Sequence, residues 1–211
     1  KKPEVVNNLT TLTAEALVRP HSFDHNISTL MGIEGKFLFR FGDDGVPANH
    51  LQIAGTSSAT NIHINRDVPL EKWIHIAITY NAAEKNLKAY YNGELVTDHS
   101  MDIGPINWGV PHSDEEDGKP RCFWIGRSYN NERWLDADIA EVRIWNRVLS
   151  EEEINEKDHA YEVDPASDGL VAYWKLNDGI NELKDHTING NNATPTSSLT
   201  WVDVALPAKE K

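Results

Sequence analysis

The chain has 211 residues, 39% of them hydrophobic and 25% charged, with a formal net charge of −13. That length buries roughly 70% of the unfolded surface without covalent staples, and that charge argues against nucleic acid or an anionic membrane as the main partner, because both would repel it. The single cysteine, Cys122, excludes an intrachain disulfide, and no run approaches the roughly 18 apolar residues of a membrane span. The first residue is Lys1 rather than Met, so a fragment or processed chain is expected, with other domains in a longer protein.

Thr10–Arg19 alternates loosely, with Ala14, Ala16 and Val18 on one side, and Pro20 is expected to end that strand. Ser28–Ile33, Lys36–Phe41 and Leu51–Ala54 are short β-rich runs bounded by glycine or polar turns. Asn61–Asn65 alternates again. Trp73–Tyr80 (WIHIAITY) is the clearest inner strand, with Ile74, Ile76, Ile78 and Tyr80 on one face. Leu87–Tyr91 and Glu94–Thr97 flank Asn92-Gly93, a hairpin signal because both turn residues need positive φ.

Pro105–Lys119 reads as an irregular connection carrying Trp108 and the acidic run Asp114–Asp117. The strand Phe123–Ile125 stops at Gly126, and a polar loop runs to Trp134. Ile139–Trp145 has a period of two, placing Ala140, Val142 and Ile144 on one side and Glu141 and Arg143 on the other. Ser150 with Glu153 three residues on predicts a capping box and one short helix near 150–157. Leu170–Leu176 and Trp201–Val204 close the strand list. About a dozen short strands with one helical turn predict an all-β, two-sheet antiparallel sandwich. We read 1–211 as a single domain, with 170–204 completing the same sandwich.

The blocks Trp73–Tyr80, Leu87–Val96, Phe123–Arg127 (FWIGR) and Ile139–Ile154 (IAEVRIWNRVLSEEEI) resemble the laminin-G-like jelly roll of the concanavalin A-like lectin and glucanase superfamily. The likeness is greatest to bacterial surface-protein modules of the Bacteroidetes. Leu170–Asn192 also resembles a family element that precedes the first strand in many relatives and follows the last one here. The resemblance implies a convex and a concave sheet, glycans or surface proteins as ligands at the concave face or its rim, and frequent calcium. It also implies an extracellular or cell-surface location, periplasmic or outer-membrane-attached if bacterial. A fold does not by itself confer a function.

Hydrolysis of a glycosidic bond needs two carboxylates about 5–10 Å apart across it. The glucanases of this superfamily carry them as E-x-D-x-x-E. Glu115/Asp117 and Glu162/Asp164 lack the second glutamate, with Pro120 and Ser167 in its place, so no enzyme is expected. Glu141 is the strand glutamate to inspect for any unfamiliar pair.

Sugar binding needs an exposed aromatic face flanked by amides, carboxylates or arginine. Trp108, Tyr129, Asn131, Arg133 and Trp134 supply that mixture, although Trp134 is equally suited to capping the core. For calcium, Asp178, Asp185, Asn189 and Asn191 offer oxygen ligands around Gly190. The alternative there is an Asn/Gly-rich turn that bonds its own backbone. Among the histidines, His63 and His75 lie on different strands as possible neighbours, and no Cys/His cluster has zinc spacing.

Overall fold

A computed structural model describes residues 8–107, 123–128, 132–179 and 183–203. In chain order the strands are β1 (Thr11–Ser22), β2 (Ser28–Ile33), β3 (Phe37–Asp43), β4 (Val46–Ala54) and β5 (Ile62–Asp67). They continue as β6 (Ile74–Asn81), β7 (Asn86–Tyr91), β8 (Glu94–Ser100), β9 (Trp124–Ile125), β10 (Asp136–Trp145) and β11 (Leu170–Trp174), with helix α1 (Glu151–Ile154) after β10. All neighbours pair antiparallel. One sheet has six strands in the order β11-β10-β1-β6-β7-β8, and the other five, β5-β4-β3-β2-β9.

Alternation builds the core between the sheets. Leu12, Ala14, Ala16 and Val18 of β1, with Ile74, Ile76, Ile78 and Tyr80 of β6, face Phe37, Phe39, Phe41, Leu51 and Ile53 of the other sheet. A second apolar cluster covers the opposite face of the six-stranded sheet. There Ala77, Tyr90, Trp145 and Tyr173 lie under Leu149 and Ile154 of the segment after β10. That face is therefore closed to solvent over β10, β1 and β6.

The predicted local devices form. Asn92 and Gly93 turn at φ 49° and 81°. Ser150 Oγ accepts from the Glu153 N–H, and the Glu153 side chain accepts from the Ser150 N–H, a reciprocal capping box.

Four expectations need correction. First, β1 continues through Pro20 to Ser22. The Pro20 carbonyl accepts from Glu71 N–H on the β6 side, where strand pairing has already ended at Val18–Ile74. The proline nitrogen faces the same way, so its missing N–H costs no ladder bond. Second, β10 does not keep one period. Glu141 sits at φ 53°, and the register slips from Glu15↔Arg143 to Leu17↔Ala140. This bulge puts Ala140 outside the core and brings Ile139 and Ala137 against it, with Val142 and Ile144 beyond. Third, β11 ends at Trp174, two residues before Leu176, which takes φ 59°. Fourth, 201–203 form no strand, and Val204 lies outside the described residues.

Candidate functional site

Four groups of polar or aromatic side chains are candidates. The first is the loop after β9. It is fixed by backbone bonds at both ends: Gly126 N–H to Leu30 O (2.8 Å), Leu135 N–H to Gly126 O (2.9 Å) and Thr29 N–H to Arg133 O (3.0 Å). Ser128 is buried, and its hydroxyl donates to Glu34 Oε2, which also accepts from Arg133 (both 2.9 Å). On this pinned frame Trp134 is 51% exposed, with the His25 ring edge-on at 5.0 Å. Trp134 is thus not the core cap that its position in the sequence also allowed. Trp108, Tyr129 and Asn131 lie outside the described residues.

The second group is a polar row on the outward face of the five-stranded sheet, opposite its three phenylalanines. Arg40 donates to Gln52 Oε1 from Nε and a terminal nitrogen (2.9 and 2.6 Å) and pairs with Asp43. His50 contacts His63 (2.9 Å) and Asp67 (2.7 Å). His63 and His75, treated from sequence as possible neighbours, are on different sheets. The local signal for His50 was its place beside core Leu51 and on the same strand face as Gln52 in β4.

The third group is buried on the other face of the six-stranded sheet. The Glu15 carboxylate, with no solvent exposure, accepts from His159 Nε2 (2.9 Å), His75 Nε2 (3.1 Å), Trp145 Nε1 (3.0 Å) and Arg143 (3.3 Å). Arg143 also donates to the His159 carbonyl (2.6 Å) and pairs with Glu141, which in turn accepts from the Tyr173 hydroxyl. Burial pushes the Glu15 carboxyl up, but hydrogen bonds from His159 and His75 and the Arg143 charge outweigh it and hold it well below the usual carboxylate range. Burial pushes His75 down against its bond to Glu15. Burial also opposes the Arg143 charge, but Glu15 and Glu141 outweigh it and keep its pKa above the usual value.

Glu15, His75 and His159 bring three ligand atoms within 4.8 Å of one another, a buried group able to hold a metal ion. A cation there would lie beside the Arg143 guanidinium, on a carboxylate already saturated with donors. Sequence reading missed this group. Its one signal was a glutamate between Ala14 and Ala16 in an apolar strand.

The fourth group is the turn after β11. Asp185 is buried, and its two oxygens accept from the N–H groups of Tyr173, Thr187 and Asn191 and from the Thr187 hydroxyl. Asn189 and Asn191 donate their amides to Val171 O (3.0 and 3.1 Å). The structure thus gathers Asp185, Asn189 and Asn191 along the β11 edge, where they occupy the bonds a further strand would make. Asp178 stands aside, accepting from Lys184 N–H and bonded to His186. Of the carboxylate pairs, Glu115/Asp117 lies outside the described residues. Asp164 accepts from the Ala166 N–H, and Glu162 pairs with Lys175.

The family model of the concanavalin A-like lectin/glucanases superfamily, of laminin-G type, matches residues 2–155. Among solved structures, a "putative carbohydrate binding protein" from Bacteroides ovatus is 28% identical with a TM-score of 0.75. That match covers 95% of this chain, and the chain spans 58% of that protein's length. Domain 4 of the extracellular arabinanase AbnA from Geobacillus stearothermophilus, solved with arabinotriose, is 17% identical with a TM-score of 0.51. It covers 74% of this chain and 68% of that one, a likeness of fold alone. No curated protein matches the chain.

Proposed function

Because the chain belongs to the concanavalin A-like lectin/glucanases superfamily, we propose that it is a non-catalytic carbohydrate-recognition module. The observation that carries this reading is Trp134. A large aromatic ring is half in solvent on a loop pinned by three backbone hydrogen bonds. A rigid exposed ring stacks on a pyranose face at little entropic cost. Arg133 and its chain neighbours Tyr129 and Asn131 would supply polar contacts, with Trp108 as a further aromatic. The description of the Bacteroides ovatus protein supports the same ligand class.

Two observations support a binding role without hydrolysis. Glu15 and Glu141 are both buried, and both are bonded to Arg143. Neither faces a cleft in which a water and a glycosidic oxygen could meet. The reading also places the module outside the cell, at a bacterial surface, as part of a longer protein. Among the described residues no helix is long and apolar enough to cross a membrane.

A calcium ion in this reading belongs to the oxygen-rich turn of Asp178, Asp185, Asn189 and Asn191, not to the nitrogen-rich Glu15 group, because calcium takes oxygen ligands. Taking it would require the turn to release backbone bonds.

A glycan array probed with and without EDTA tests the proposal. Binding that Trp134→Ala lowers by about tenfold or more, with unchanged circular dichroism, is the expected result. No binding to any glycan in calcium would overturn it in favour of a surface-protein interaction module. Loss of binding with EDTA, restored by calcium and absent in Asp185→Asn, would support the ion at the turn.

A further inference from the structure

The segment after β10 covers the outward face of the six-stranded sheet only as far as Val148–Glu151. Between that segment and β7 lies a cleft of about 260 Å³. Thr79 of β6 and Lys88 and Tyr90 of β7 form its floor, on paired strands whose alternation points all three outward. Val148 and Glu151 stand on the opposite wall.

Two hydroxyls of this floor are open. Thr79 is 2% exposed and Tyr90 3%, yet neither side chain has a hydrogen-bond partner among the described residues. Thr13, directly opposite Thr79 on β1, is satisfied by contrast. Its hydroxyl donates to Arg147 O at 2.8 Å and accepts from Leu149 N–H at 2.9 Å. Buried hydroxyls in native proteins are bonded, so solvent or a ligand must supply the partners of Thr79 and Tyr90 from the cleft.

We infer that this cleft is a second carbohydrate site, separate from the Trp134 loop, which takes one neutral hexose ring at the end of a glycan. The volume lies just below the roughly 300–1,000 Å³ of drug-sized pockets, room for one ring rather than a chain. A sugar hydroxyl both donates and accepts, so it pairs with Thr79 and Tyr90 in either sense. Lys88 adds donors and Glu151 acceptors. Val148, 39% exposed, offers an apolar patch to the C–H face of the ring.

Charge selects among sugars. Burial raises the pKa of the Tyr90 hydroxyl, and the charges of Glu151, Asp98 and Glu152 raise it further. Glu84 is another carboxylate on the lining. Lys88 is offset by Asp98, 3.7 Å away. A uronic or sialic acid would meet this negative field and be repelled.

β1 separates the two sites. At one end Ser22 pairs with Asp136, two residues from Trp134, and at the other Thr11 pairs with Asn81 beside the cleft. The 12 residues of β1 span roughly 35 Å. One chain thus presents two independent sites, an arrangement that favours branched or clustered glycans.

The test is nuclear magnetic resonance titration of the full chain with the methyl glycosides of glucose, galactose and mannose, and with sodium glucuronate. At least one neutral glycoside should shift the signals of Thr79, Lys88 and Tyr90 saturably, with millimolar affinity, and glucuronate should not. Tyr90→Phe and Thr79→Val remove the open hydroxyls. Each should weaken this binding by about threefold or more without lowering the melting temperature, because no bond within the protein is lost. Trp134→Ala, which removes the rim-loop ring, should leave the cleft shifts in place. Cleft shifts with no binding at Trp134 would uphold this inference and count against the rim-loop reading alone. Shifts confined to the rim loop, full affinity in both hydroxyl variants, equal binding of glucuronate, or no shift at the three cleft residues with any glycoside at tens of millimolar would overturn it.

Discussion

Replacing Glu15 by glutamine tests the buried network at its centre. The carboxylate has no solvent exposure and accepts from two histidines, a tryptophan and an arginine. Glutamine keeps the shape and one acceptor oxygen, but it turns an N–H₂ toward groups that are themselves donors. It also removes a charge that balances Arg143, leaving Glu141 to do so alone. Removing one partner of a buried ion pair costs about 3–5 kcal/mol. At roughly 2–4 °C per kcal/mol for a domain of this size, Tm should fall by about 6–20 °C.

The assay is urea unfolding with calorimetry, on Glu15→Gln, Arg143→Met and the double variant. The double variant should recover part of the loss, because a fully apolar replacement leaves no orphan charge. A loss below about 1 kcal/mol, or a double variant whose loss equals the sum of the two singles, would refute the account. A similar drop in wild-type protein treated with EDTA would reassign the carboxylate to a metal ion.

Other expectations follow from local geometry. Gly93 and Gly45 both take positive φ, but a Cβ on Gly93 would lie 1.9 Å from Asn155 Oδ1, and one on Gly45 would meet nothing within 4 Å. Gly45→Ala should cost about 1–2 kcal/mol in urea unfolding. Gly93→Ala should cost about 1 kcal/mol more, because Asn155 must leave its bond to the Gly93 carbonyl. Ser150→Ala should cost about 0.5–2 kcal/mol through loss of the helix cap, read as a shift in the urea midpoint. The hydrogen bond to Glu71, against burial and with help from Asp138, raises the pKa of His21 above 6.5. A raised folded-state value means stability that is full below pH 6.5 and lost as pH rises through the folded value. For so exposed a pair the amount is below about 1 kcal/mol, and His21→Gln should remove it from a pH series of melting curves.

Much of the fold was legible because its signals are local. The period of two in β6, the Asn92-Gly93 turn and the Ser150 capping box each depend on residues within a few positions of one another. The errors arose where a tertiary partner overrode a local rule. Pro20 stays in a strand because the β6 ladder has ended at Val18–Ile74 on the side its nitrogen faces, and its carbonyl takes the Glu71 N–H there. The period of β10 breaks at Glu141, whose side chain is held by Arg143 and Tyr173. The candidate site was less legible. Trp134 was named, but its exposure depends on how the loop is pinned to Thr29 and Leu30.

By itself the sequence determined an all-β chain, the hairpin, the one helical turn and the family, since hydrophobic period and turn chemistry act between near neighbours. Only the tertiary structure decided that His159 meets Glu15 across 144 positions, and that His50 rather than His75 lies beside His63. It also decided that the Asp185 turn closes the β11 edge. Sheet order and register bring such residues together, and the short segments that contain them do not encode either one.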